Sequence, residues 1–381
     1  MTTLLLKNAN VVLPDREAPG GSVLIEEGKI VSLDARQGGE EIDLAGATLL
    51  PGFIDFHIHG AAGIDVMDAT ANDLHEVSEY LASQGVTGWL PTFVPASDDN
   101  YASAIAAISE AMHGRGARVL GVHYEGPFVN TAQCGALHTE YFKTYSSPED
   151  LNSLPLPATG VRMITLAPEV SGGVDLVREL KTRGWVISIG HTRADVKLLD
   201  AACEAGAHHM THFMNAMAPL HHRNPGPIAW GLSRDEVTFD CIADGVHLDP
   251  FMLRLLLKVK GAERISLISD AIAAAGKGDG DYQIWGETIF VKNGRTANAS
   301  GNIAGSVISM LDAVRMMHSL GVANVDIARM ASLNPARLLG LDSICGSIEP
   351  GKRADLVALD GDNNPTLTVI DGKIVSHKGA K

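Results

Sequence analysis

Pro51-Gly52-Phe53-Ile54-Asp55-Phe56-His57-Ile58-His59-Gly60 is the stretch on which the fold turns. Read as the end of a buried strand from Leu49 to Ile58, it repeats with period two. Asp55, His57 and His59 then share one face, and Ile54, Phe56 and Ile58 take the other. A lone histidine beside apolar residues is ordinarily a satisfied core or surface group. Two imidazoles one residue apart, followed at once by Gly60, converge on one point instead. A metal ion held there needs further His or carboxylate partners from other parts of the chain.

Outward from this stretch, strand-like and helical runs alternate. Eight candidate strands follow one another: Leu49 to Phe56, Val86 to Thr92, Arg118 to Tyr124, Val161 to Leu166, Trp185 to Ile189, Ala207 to Thr211, Val237 to Ile242, and Arg264 to Ser269. Helices are expected between them, among them Ala71 to Gln84, Asn100 to His113, Asp195 to Ala205 and Pro250 to Lys260. Eight such units predict an α/β fold, a (β/α)8 TIM-like barrel. A doubly wound open sheet would carry a Gly-rich phosphate turn after its first strand, where this chain has His57 and His59. The stretch from Phe128 to Leu156, long and rich in Pro, Ser and Thr, reads as a lid.

The two ends match each other. Glu27-Gly28-Lys29-Ile30-Val31-Ser32 and Asp371-Gly372-Lys373-Ile374-Val375-Ser376 are nearly the same hairpin. Residues 1–50 with 346–381 are therefore expected to form one small antiparallel β domain, leaving 51–345 as the barrel.

Composition narrows the partners. The 381 residues are 45% hydrophobic and 20% charged, with a net charge of −15, which repels a polyanion and argues against nucleic acid. Any phosphate needs a local cluster of donors, and the His221-His222-Arg223-Asn224 loop offers one. Cys134, Cys203, Cys241 and Cys345 lack metal or redox spacing and read as mostly buried thiols of a cytoplasmic protein. The first residues lack the pattern of a secretory leader, and no run approaches the ~20 apolar residues that span a bilayer, so no membrane association is expected.

In a barrel the functional groups sit where strands end at the carboxyl face. Glu125, His191, His212 and Asp270 each directly follow an apolar strand. Any one of them is explained by a cap or a core hydrogen bond, but four joining His57 and His59 at one rim read as a metal site. Glu125, His191 and His212 suit one divalent ion with a position left for a water that the ion acidifies. His57 and His59 suit a second ion, and Asp270 is left as the general acid/base.

These motifs, with Thr211-His212-Phe213-Met214-Asn215-Ala216-Met217, Ala243-Asp244-Gly245-Val246-His247 and Ser269-Asp270-Ala271, resemble the N-acetylglucosamine-6-phosphate deacetylases of the amidohydrolase superfamily over essentially the whole chain. The resemblance implies a barrel capped by a β-sandwich built from both termini. It implies metal-dependent removal of the N-acetyl group from N-acetylglucosamine 6-phosphate, giving glucosamine 6-phosphate and acetate. It puts one or two divalent ions in each subunit, zinc first, with iron, manganese or cobalt as alternatives. It assigns the metal to Glu125, His191 and His212, with a further site at His57 and His59 in some members, and the acid/base role to Asp270. Substrate contacts fall on Asn215, Ala216, Arg223 and His247, and the Arg, reaching across an interface in the family, implies a homodimer. The chain departs from the family in the lid, where Cys134-Gly135-Ala136-Leu137-His138 replaces Lys-Gly-Ala-His. His138 stands one position late as a candidate substrate contact, and Cys134 reads as a small apolar filler. His75, His113, His208 and His209 read as helix or surface residues without a role.

Three alternatives stand beside this reading. The galactosamine epimer needs the same groups. A cyclic-amide hydrolase of the same superfamily needs a carboxylated lysine on the fourth strand, and Met163 to Glu169 contains none. A non-catalytic scaffold would bind no metal.

Overall fold

The computed structural model describes residues 3–377. Eight parallel strands form the barrel: Phe53–Ile58, Val86–Phe93, a third in two parts (Arg118–Val119 and Gly121–Glu125), Val161–Leu166, Val186–Ile189, His209–Met210, Thr238–Ile242 and Ile265–Ile268. They pair in chain order, each with the next, as right-handed βα units require. The helices Ala71–Ser83, Asp98–Ala111, Val196–Ala205 and Pro250–Lys260 lie where periodicity predicts them. The first begins at a capping box in which Thr70 and Asp73 satisfy each other's backbone N–H groups.

The first strand differs from the expectation in two ways. It breaks at Gly52, so Thr48–Pro51 joins the terminal sheet and only Phe53–Ile58 enters the barrel. A side chain on Gly52 would overlap Thr87, and that close approach lets the chain pass from one sheet to the other. The two-residue alternation also fails, because the pairing with the second strand shifts between Asp55 and Ile58. Ile54 and Phe56 pack with Leu90, Leu120, Met163, Ile242 and Ile268, while Ile58 joins the layer under the helices with Phe53 and Val77. Asp55 does not join His57 and His59. Its carboxylate accepts from the Ser269 N–H at 3.2 Å and the Ser269 hydroxyl at 2.6 Å, joining the first strand to the eighth where backbone pairing is incomplete. The seam continues with Asp270 N–H to His57 O at 2.9 Å and His59 N–H to Ala271 O at 2.8 Å.

Both ends of the chain meet in one eight-stranded sheet. It is mixed rather than purely antiparallel, because the long first strand Thr3–Val12 runs parallel to Glu40–Asp43 and then to Thr48–Pro51. The two similar hairpins lie in this sheet, turning at Glu27-Gly28 and Asp371-Gly372. The sheet curls until its edge strand Lys29–Ser32 meets the segment leading into Leu356–Leu359, with Ala354 N–H bonded to Gly28 O at 2.8 Å and Ile30 N–H to Lys352 O at 2.9 Å. Leu6, Val23, Ile25, Leu356 and Val369 form a core inside the curl, and Leu50 and Val357 pack against the barrel instead.

A further sheet was absent from the sequence reading. After the eighth strand, Gly280–Ile284, Glu287–Lys292 and Arg295–Ala297 make a small antiparallel sheet beside the barrel mouth. No helix among the described residues is long and apolar enough to cross a membrane.

Candidate active site

The carboxyl ends of the strands bring His57, His59, Glu125, His191, His212 and Asp270 together, none more than 7% exposed. Two groups of ligand atoms form, His57 with His59 and Asp270, and Glu125 with His191 and His212. Glu125 is central to both. Its Oε1 lies 3.0 Å from His191 Nε2, 3.0 Å from His212 Nε2 and 3.4 Å from His57 Nε2, and its Oε2 lies 3.4 Å from His59 Nε2. Asp270 Oδ1 faces the same pair from the other side, at 3.5 Å from His57 and 3.2 Å from His59.

Local backbone geometry aims these side chains. His191, His212 and Asp270 have φ of 48°, 29° and 50°, in the left-handed region where a non-glycine residue is strained. Each sits just past the end of its strand, so the unusual φ turns the side chain over the barrel mouth.

The donors fit a divalent ion. His59 Nδ1 lies 3.0 Å from Thr92 O and His191 Nδ1 2.7 Å from Gln133 O. A carbonyl only accepts, so each Nδ1 carries a proton and each Nε2 faces the cluster, the orientation a ligand needs. His57 Nε2 is buried without a hydrogen-bond partner. Orphaned buried nitrogens beside two carboxylates are costly unless a cation joins them. The mixed imidazole and carboxylate set suits zinc, and also iron, manganese or cobalt.

Electrostatics agree with this reading. Burial alone would raise the Glu125 carboxyl, but the imidazoles of His57, His191 and His212 hold it well below the usual range. Burial likewise opposes ionisation of Asp270, and His57 and His59 more than offset it, keeping the carboxylate below its ordinary value. Burial works to lower His59 and His212, yet Asp270 and Glu125 hold His59 up to about 10, and Glu125 chiefly holds His212 up to about 9.

The cavity over this cluster is lined by His59, Glu125, Asp270, Asn215, Ala216 and His247, among others. Asn215 donates to His212 O at 3.2 Å, and His247 is held 2.7 Å from the Asp244 carboxylate. Two expected contacts are not in it. His138 turns toward Glu140 at 3.4 Å, and the wall is made by Gly135, Ala136 and Leu137 instead. Arg223 lies on an exposed loop, its guanidinium 2.9 Å from the His222 ring and its backbone N–H donating to His221 at 3.2 Å. Cys134 is half-buried, and the other three thiols are buried.

Two features escaped the sequence reading. Trp285, from the small added sheet, sets its edge against His59 with ring centres 5.3 Å apart. Asp240 and His209 form a buried pair at 2.9 Å inside the barrel, and Asp240 also accepts the His212 N–H. His209 is thus an interior residue rather than a surface one. The signal was available, since a carboxylate at the centre of Thr238–Ile242 interrupts an apolar strand and needs a partner.

A profile of the amidohydrolase family matches residues 48–375. The N-acetylglucosamine-6-phosphate deacetylase of Bacillus subtilis is 38% identical over 98% of this chain and 97% of its own length. The N-acetylgalactosamine-6-phosphate deacetylase of Escherichia coli O157:H7 is 39% identical over 86% and 88%. Among solved structures, a mutant N-acetyl-D-glucosamine-6-phosphate deacetylase from Mycobacterium smegmatis, in complex with N-acetyl-D-glucosamine-6-phosphate, superposes with a TM-score of 0.90 at 31% identity, covering 98% of this chain and 100% of that one.

Proposed function

The chain belongs to the amidohydrolase family, and from that premise we propose that it hydrolyses the N-acetyl group of N-acetylglucosamine 6-phosphate, releasing glucosamine 6-phosphate and acetate. The observation that carries the reading is Glu125 facing both histidine groups, with Asp270 opposite it at the floor of the cavity. Glu125, His191 and His212 would hold a divalent ion, zinc first, and His57, His59 and Asp270 would offer a second position. A bound ion supplies polarisation of the amide carbonyl and acidification of water. Asp270, ionised, takes a proton from the attacking water as the new C–O bond forms. It returns that proton to the amide nitrogen as the C–N bond breaks, so the amine leaves neutral. Asn215, the Ala216 backbone and His247 orient the sugar from the cavity wall.

The phosphate requires cations, and among the described residues no lysine or arginine lines the cavity. We assign that role to Arg223 of a second copy in a homodimer. Its exposed loop and the uncovered Phe251, Leu255 and Val259, spaced by four along helix Pro250–Lys260, support such an interface. Residues 1–50 with 346–381 are taken as the small β domain and 51–345 as the catalytic barrel, in a cytoplasmic enzyme. The galactosamine epimer is a second reading, favoured by the 39% identity to the Escherichia coli relative.

Steady-state rates on both 6-phosphorylated acetylhexosamines, with metal analysis of the same sample, test the assignment. Turnover of the gluco epimer by metal-loaded protein supports it, and turnover of the galacto epimer alone replaces it. Mixing Arg223→Ala with Asp270→Asn protein should restore part of the activity through mixed dimers. No restoration, with both variants folded, would end the shared-site idea.

A further inference from the structure

At the opposite end of the barrel lies a second cavity of about 720 Å³, against about 160 Å³ over the metal cluster. Its wall comes from the amino ends of the third, fourth and fifth strands and from the turn after the last helix. Arg118 and Glu125 stand on the same interrupted third strand, roughly 20 Å apart by strand rise, so this cavity is separate from the catalytic one.

Its charge is opposite to that of the molecule. Acidic residues outnumber lysine and arginine 45 to 30 in the chain, yet Arg118, Arg162, Arg183 and Arg353 line this cavity with His113 and no carboxylate. Two of the four are already paired, Arg183 with Glu179 and Arg353 with Asp355, each at 2.6 Å. Arg118 and Arg162 have no ion pair among the described residues, and Arg118 Nε is shielded from water without a hydrogen-bond partner. Arg353 and Arg118 both act on the buried Cys345 thiol, which burial nonetheless pushes up to about 11. Unpaired guanidinium groups lining one space repel each other, and an entering anion would relieve that repulsion and give the buried Arg118 Nε an acceptor.

We propose that this cavity is a binding site for a phosphorylated small molecule, its phosphate held by Arg118 and Arg162. Two uncompensated guanidiniums match the charge of a phosphate dianion and offer forked donors to its oxygens. The volume leaves room for an organic group beside the phosphate, and the chain's net charge of −15 disfavours nucleic acid. The site is independent of the deacetylase reading.

Calorimetric titration of the metal-loaded protein with inorganic phosphate tests it. Arg223→Ala, made to weaken anion binding at the catalytic end, should keep a saturable phosphate site. In the Arg118→Gln/Arg162→Gln protein that site should weaken at least about tenfold, with turnover within about twofold of the parent. Arg162→Gln alone, at a half-buried strand start, should show the loss even if the double variant folds poorly, and Arg162→Lys should recover part of it. Unchanged phosphate affinity in Arg162→Gln, absence of saturable binding in Arg223→Ala, or binding of citrate with none of phosphate would each overturn the proposal.

Discussion

The two mouths of the barrel use the same eight strands in opposite ways. At the carboxyl mouth, strands end in left-handed turns that hold His191, His212 and Asp270 buried and aimed at one another. Below it, Ile54, Leu90, Leu120 and Met163 pack with Ala336, Leu339 and Cys345 into an apolar plug toward the amino end. Strain of about 1–2 kcal/mol at each left-handed residue is tolerated at the first mouth because the plug and the surrounding helices supply the stability. Chemistry and stability are therefore separated along the barrel axis, and each end should respond to substitution in its own currency.

The largest effect on activity is expected at Asp270. Asp270→Asn should lower turnover by about 10²-fold or more while the ion on Glu125, His191 and His212 stays bound. Near-parental turnover with metal present would remove Asp270 from proton transfer. Beneath the ligands, Asp240→Asn weakens the grip on the His212 backbone and on His209, and metal affinity should fall by roughly 10- to 100-fold. Unaltered metal affinity would show that the buried pair serves only the barrel interior.

Protons should compete with the ion. In the metal-free protein His59 and His212 are raised from 6.5 to about 10 and about 9, so metal uptake near neutral pH must displace their protons. Apparent affinity should rise with pH from 6 to 8, by up to about tenfold per unit for each proton released. A flat profile would mean that these imidazoles are already neutral. The sign for stability is the reverse: raised imidazole pKa values stabilise the metal-free fold fully below 6.5, and that contribution is lost as pH climbs through 9 and 10.

The smallest effect on activity belongs to the plug. Met163→Ala, at a fully buried position, should cost about 2–5 kcal/mol of stability in denaturant unfolding yet leave turnover within about twofold. A large loss of turnover in folded protein would show that the two mouths are coupled.

The sequence by itself determined the eight βα repeats, the meeting of the two terminal hairpins in one sheet, and the strand-end residues Glu125, His191, His212 and Asp270. Periodicity and the position of a charged residue just past an apolar run are local properties, and local sequence records them. Only the tertiary structure decided the rest. The pairing shift in the first strand sent Asp55 to Ser269 instead of to His57 and His59, and a register shift depends on a neighbouring strand that lies a whole βα unit away in sequence. His209 looked like a surface residue until Asp240, on the next strand, gave it a buried partner. Trp285 reaches His59 from a sheet whose own pattern says nothing about where it docks. His138 was expected in the cavity, and the loop conformation placed Leu137 at the wall instead. Except at His138, which turns to the nearby Glu140, the deciding interaction joins residues distant in sequence, so its energy exists only once the chain has closed on itself.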